Sequence, residues 1–151
     1  MAGGVEFHTG VPDMAAFACR LLRKAYRRGA TVLCLAPAQR LESLDRALWT
    51  FVEREFVPHA VVGRVAARVL ERSPIWLATA PPGVDEPGGG RRDVVVNLGG
   101  ALPVETALTM RVIEVVGAED DEVERGRALW RQYRAQGLEV VHHPFRSAQA
   151  D

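Results

Sequence analysis

Two cysteines, one lysine, three serines and no net charge mark this 151-residue sequence by what it does without. Cys19 falls in a helical pattern and Cys34 in an apolar run, with no metal-ligand spacing and no reason to pair. A disulfide scaffold is thereby excluded, and both thiols read as reduced, buried small hydrophobes. Nineteen basic residues cancel nineteen acidic ones, so no global field draws the chain to nucleic acid or an anionic membrane. Electrostatic recognition must be local. All the basic residues but Lys24 are arginine, so a single arginine carries little information. No stretch approaches the roughly 20 apolar residues of a membrane span. The opening MAGGVEFHTG has neither a basic region nor a long apolar run, so a cytoplasmic location with no membrane partner is expected. The length suits one domain with a real core.

The motifs of familiar chemistry are also missing. GGGRRD is glycine-rich but precedes a strand and lacks the Gly-Lys-Ser/Thr ending that holds phosphate at a helix N-terminus. No G-x-G-x-x-G fingerprint occurs. Ser43, Ser73 and Ser147 lie in no nucleophile-elbow pattern. His142 and His143 are adjacent, so on a strand they point to opposite faces, while His8 and His59 are isolated in sequence. The acidic run Glu119–Glu122 reads as helix-start chemistry. The expectation is a protein that is not an enzyme, with no catalytic residue, no cofactor and no metal.

What is present is an alternation of strands and helices. Val5–Thr9 reads as a strand, and Pro12 and Asp13 open a helix that runs to Arg28 before Gly29. Thr31–Leu35 is a continuous apolar run suited to a strand buried on both faces, and a helix after Pro37 carries Leu41, Leu44, Leu48 and Trp49. The chain leaves that helix through Phe51–His59, and Val61–Leu70 is ambiguous. Ile75–Thr79, Asp93–Leu98 and Arg111–Val116 read as further strands, then a helix over Asp121–Gly137 and a closing strand near Leu138–His142. This order predicts a single α/β domain over residues 1–151 with an open, mostly parallel sheet, Rossmann-like, and helices on both faces. Residues 1–4 and 146–151 are expected to fray and 80–90 to form a flexible loop.

The last helix is the most informative segment. At about 100° per residue, Arg127, Arg131 and Arg134 fall within an arc of roughly 60° with Trp130 beside them. Gly126, Leu129 and Tyr133 form the separate inward arc, and Val123 and Trp130 lie on the seam. Planar guanidinium groups around an aromatic wall suit an acidic peptide that ends in an apolar residue. An arginine-rich helix face is also commonly just solvated, and a tryptophan at helical spacing commonly core.

Leu44–Trp49 (LDRALW), Phe56–His59 (FVPH), Arg91–Leu98 (RRDVVVNL) and Ala128–Gly137 (ALWRQYRAQG) follow in an order that resembles the chi subunit of the bacterial DNA polymerase III holoenzyme. The resemblance spans nearly the whole chain, with 61–90 matching poorly. It implies a Rossmann-like, non-enzymatic adaptor of the clamp-loader complex that grips the acidic, Pro-Phe-terminated tail of single-stranded DNA-binding protein and touches DNA only indirectly. By position, the family's tail-binding residues fall on Arg127, Trp130 and Arg131. Here Trp130 stands where the family has tyrosine and Arg131 where it has lysine, which keeps an aromatic wall and a cation. Arg134 and Val116 are further candidates, the latter for the apolar pocket. A second family surface, for a psi-like subunit or an accessory helicase, corresponds to Trp49, Phe56, Val57, Pro58 and His59.

Two rival readings use other chemistry. A small α/β enzyme binding nucleotide or phosphate would show a convergent polar pocket around GGGRRD. A direct single-stranded DNA binder would use arginine and tryptophan as a stacking platform, which neutral charge and sparse aromatics disfavour.

Overall fold

The computed structural model describes residues 4–50, 56–83, 85–87 and 89–146. Of the ends expected to fray, all but Gly4 and Arg146 lie outside these residues, as do Val84 and Gly88 of the expected loop. Seven strands make one sheet in the order β3-β4-β2-β5-β6-β1-β7, and every pairing is parallel. The strands are β1 (Val5–Val11), β2 (Val32–Leu35), β3 (His59–Val61), β4 (Ile75–Ala78), β5 (Val94–Asn97), β6 (Arg111–Gly117) and β7 (Val140–Pro144). The helices are α1 (Met14–Arg27), α2 (Ala38–Thr50), α3 (Ala67–Arg72) and α4 (Asp120–Ala135). No helix among the described residues is long and apolar enough to cross a membrane.

Alternation along the buried strands builds two cores. Val32, Cys34, Val94, Val96, Ile113 and Val115 face α1 and α2, where Cys19, Leu22, Leu41, Leu44 and Leu48 meet them. Leu33, Leu35, Val95, Val112, Val5 and Phe7 face α3, α4 and a 3-10 turn at Val104–Leu108. Connections that move one way along the sheet lie on one face and those that return lie on the other, as right-handed crossovers require. The two thiols are buried as expected, and burial pushes the Cys19 thiol up to about 11.

Several boundaries move. Asp13 caps α1 by accepting from the Ala16 amide at 3.1 Å. The ambiguous stretch Val61–Leu70 runs from the last residue of β3 into α3, each too short to show a period. The closing strand sits two residues later than Leu138–His142, because its register is set by pairing with β1, from Val5 opposite Val140 to Thr9 opposite Pro144. Near its end β1 carries a bulge between His8 and Val11, where Gly10 takes φ 69°.

Helix α4 is pinned to the sheet by a buried polar cluster. The Glu114 side chain, fully buried on β6, accepts from Tyr133 Oη at 2.6 Å and from Asn97 Nδ2 at 3.1 Å to each oxygen. Arg125 completes the cluster, 3.5 Å from Glu114 and donating to Val115 O at 2.8 Å and to Glu122 at 3.0 and 3.2 Å. Glu122 in turn accepts from the Gly117 amide at 3.1 Å. Burial raises the Glu114 carboxyl above its ordinary value despite the opposing bonds from Tyr133 and Asn97 and the charge of Arg125. Gly126 permits the close approach, since a Cβ there would stand 3.0 Å from Val116 Cγ1.

Because its native value is raised, Glu114 contributes stability that is complete below the ordinary 4.5 and is lost as pH rises through the native value. Tyr133→Phe removes a donor from the buried, charged form. It is expected to cost about 1.5–3 kcal/mol at a pH where Glu114 is ionised, and less on acidification toward Glu114 protonation. Urea melts of both proteins across pH check this; a penalty that grows in acid contradicts it.

Candidate functional site

Against the outer face of α4 lies a groove of about 510 Å³. Phe7, Val116, Val123 and Gly126 give it an apolar floor, Trp130 and His142 stand in its walls, and Arg127 and Arg131 are on its lining. Thr9 and the Gly10 bulge close the β1 side. The bulge interrupts the regular pairing of β1 with β6 beside the groove.

Trp130 is half-buried and held by its neighbours. Its ring is tilted against Phe7 with centroids 5.3 Å apart and meets His142 edge-on at 6.0 Å. Phe7 is itself met edge-on by Tyr133 at 5.9 Å, and His142 Nε2 lies 2.6 Å from the Thr9 hydroxyl. A continuous set of contacts thus runs from the Glu114 carboxylate through Tyr133, Phe7, Trp130 and His142 to Thr9. Such a ring, fixed on one side and open on the other, is ready to stack on an apolar group without losing rotamer freedom. Arg127 and Arg131 are exposed, so their guanidinium groups are available to a carboxylate.

Four of the five residues read from the last helix and its approach, Arg127, Trp130, Arg131 and Val116, come together in this groove. Arg134 does not; it is exposed and lies beyond the groove lining, because the groove spans only the middle turns of α4. Sequence reasoning missed Phe7, Thr9, Gly10 and His142. They arrive through parallel pairing of β1 with β6 and β7, for which the sequence carries no local signal.

Trp49, Phe56 and His59 cluster at the other end of the sheet. Ring centroids are 5.0 Å apart for Trp49 and Phe56 and 5.2 Å for Trp49 and His59. Trp49 is 59% and Phe56 52% exposed. His59 is turned inward, its side chain 1% exposed, between Asp45 Oδ1 at 3.0 Å and Val57 O at 2.8 Å. Val57, read from the sequence as part of this surface, is corrected to a core residue packed with α2 and β4, since alternation from an exposed Phe56 turns the next side chain inward. Pro58 is half-buried.

The GGGRRD segment borders a polar groove of about 820 Å³ at the N-terminal edge of the sheet. Its charged groups are already used. Arg92 is buried over the Trp76 ring at 3.1 Å and donates to Pro74 O, and burial lowers its guanidinium to about 10. Asp93 accepts from the Thr31 amide at 2.8 Å, and Arg91 donates to Thr109 O at 2.7 Å. Ligands of open parallel sheets bind at the opposite, C-terminal edge.

Comparison with known proteins identifies the family. A profile of the family described as DNA polymerase III chi subunit, HolC, matches residues 3–141. The DNA polymerase III subunit chi of Pseudomonas aeruginosa is 36% identical over 128 residues, covering 83% of this chain and 82% of that protein. The subunit chi of Haemophilus influenzae is 30% identical over 122 residues, covering 80% of this chain and 79% of that one. Among solved structures, the C-terminal domain of the DEAD-box protein Dbp5 superposes with a TM-score of 0.59 at 12% identity, over 95% of this chain and 91% of that one, a likeness of fold alone. The chain belongs to the DNA polymerase III chi subunit family, and its role lies in DNA replication.

Proposed function

We propose that this chain is a non-catalytic adaptor of the clamp-loader complex that binds the acidic C-terminal tail of single-stranded DNA-binding protein in the groove beside α4. The observation that carries the reading is the conjunction of an apolar floor, a fixed Trp130 ring and two outward arginines in one depression. A terminal phenylalanine ring stacks on Trp130 over Val116 and Val123, while Arg127 and Arg131 take the carboxylates. A small apolar anchor with a charged rim gives modest affinity and strong salt dependence.

A second surface, centred on Trp49 and Phe56, takes a psi-like subunit or an accessory helicase. Two adjoining aromatics, tilted against each other and more than half exposed, support it. Trp49 and Trp130 sit on different helices, α2 and α4, which pack on opposite faces of the sheet, so the two partners bind independently.

Calorimetry with an acidic, Phe-terminated peptide is expected to show 1:1 binding that weakens with salt. Equal affinity for the same peptide without its final Phe contradicts the apolar anchor. Trp130→Ala is expected to weaken tail binding by about 2 kcal/mol or more while a psi-like or helicase partner stays attached in a pull-down. Trp49→Ala is expected to do the reverse. Each variant must first melt cooperatively near wild type; loss of both partners by both well-folded variants replaces the two-surface account with one shared site. ATP is expected to leave the melting temperature unchanged, and a reproducible rise would favour the nucleotide-binding rival.

A further inference from the structure

On the face of the sheet opposite the groove, parallel pairing sets His143 of β7 beside His8 of β1, with Glu6 two residues before His8 on the same face. The imidazole rings of His8 and His143 stack at 4.9 Å with 22° between their planes. One donor atom from each of Glu6, His8 and His143 lies within 4.8 Å of the other two. Glu6 Oε2 is held by Arg111, donating from Nε at 2.9 Å and from its terminal nitrogen. The other oxygen, Oε1, faces His143 Nε2 at 3.3 Å. That separation equals the ~3.3 Å edge of a tetrahedron built on metal–ligand bonds of about 2.0–2.1 Å.

We propose that Glu6, His8 and His143 form a binding site for a divalent cation of the zinc class, with two imidazoles, one carboxylate and an open fourth position. Imidazole and carboxylate together suit zinc and its neighbours rather than calcium or magnesium. Arg111 serves as the outer partner that orients the ligating carboxylate. Burial, aided by the charge of His143, lowers His8 below its ordinary value. Burial tends to raise the Glu6 carboxyl, but the hydrogen bond and charge of Arg111, with those of His143, outweigh it and hold it below its ordinary value. Neither ring nitrogen of His8 is hydrogen-bonded to another described residue, so coordination displaces no bond there. Arg111 beside Glu6, and Arg20 and Lys24 in the adjoining groove, make the affinity weaker than that of a closed structural zinc site.

The expectation of no metal, drawn from spacing in the sequence, changes here because the ligands come from two strands that are far apart in the chain. A bound ion staples the edge strand β7 to β1 and is expected to raise the melting temperature.

The test is zinc calorimetry, with cobalt absorption as a second readout, on the full chain stripped of metal and free of any histidine tag. Wild type is expected to bind one zinc ion and give the visible bands of four-coordinate cobalt. His143→Ala, on the exposed edge strand, and His8→Gln are each expected to weaken zinc at least about tenfold, while His142→Ala, whose ring lies on the other face, leaves it unchanged. Melts without metal establish that each variant is folded. Absence of zinc binding by wild type overturns the proposal, as does undiminished binding by well-folded His143→Ala and His8→Gln.

Discussion

The buried Glu114 carboxylate is the interaction on which the arrangement of this molecule turns. An ionisable group taken wholly out of water is costly unless its acceptor positions are filled. Here Asn97 fills them from the neighbouring strand β5 and Tyr133 and Arg125 from α4, so the position and rotation of α4 over the sheet must bring both of its donors to the carboxylate. Apolar contact alone would tolerate a helix that slides or rolls. The cluster therefore does for α4 what register does for a strand, and it decides which residues of that helix face outward.

The consequences reach the groove through contacts rather than through charge. Tyr133 supports Phe7, Phe7 supports Trp130, and Trp130 meets His142 of the edge strand. A one-residue rotation of α4 would carry Trp130 into the core or out to solvent, and in either place it would no longer wall an apolar depression. The edge strand shows the same economy. His142 and His143 share one backbone but serve opposite faces, the first in the groove and the second beside His8.

Much of this was legible in the sequence where the signal is local. The continuous apolar runs at Thr31–Leu35 and Asp93–Leu98 suited buried strands, and the helical period of α4 separated Tyr133 and Gly126 from Arg127 and Arg131. The family resemblance placed Trp130 and Val116 in one site. What the period could not show was the role of Glu114, which sits among valine and isoleucine in Arg111–Val116, a segment that reads simply as a strand. Its partners Asn97 and Tyr133 lie 17 and 19 residues away. Nor could the sequence show that β7 pairs with β1, and with that pairing went His142, Phe7 and the Glu6–His8–His143 cluster. Val57 was misplaced for a related reason: it lies between exposed Phe56 and half-buried Pro58, and its own side chain reaches a core visible only once α2 and β4 are in place.

The central claim is that the α4 groove, and no other surface, receives the acidic tail. Backbone and tryptophan indole resonances followed by NMR during titration with the Phe-terminated peptide test it directly. The account predicts shifts concentrated at Trp130, Arg127, Arg131, Val116 and His142, with the Trp49 indole unmoved. Shifts centred on Trp49 and Phe56, with Trp130 unmoved, would contradict it.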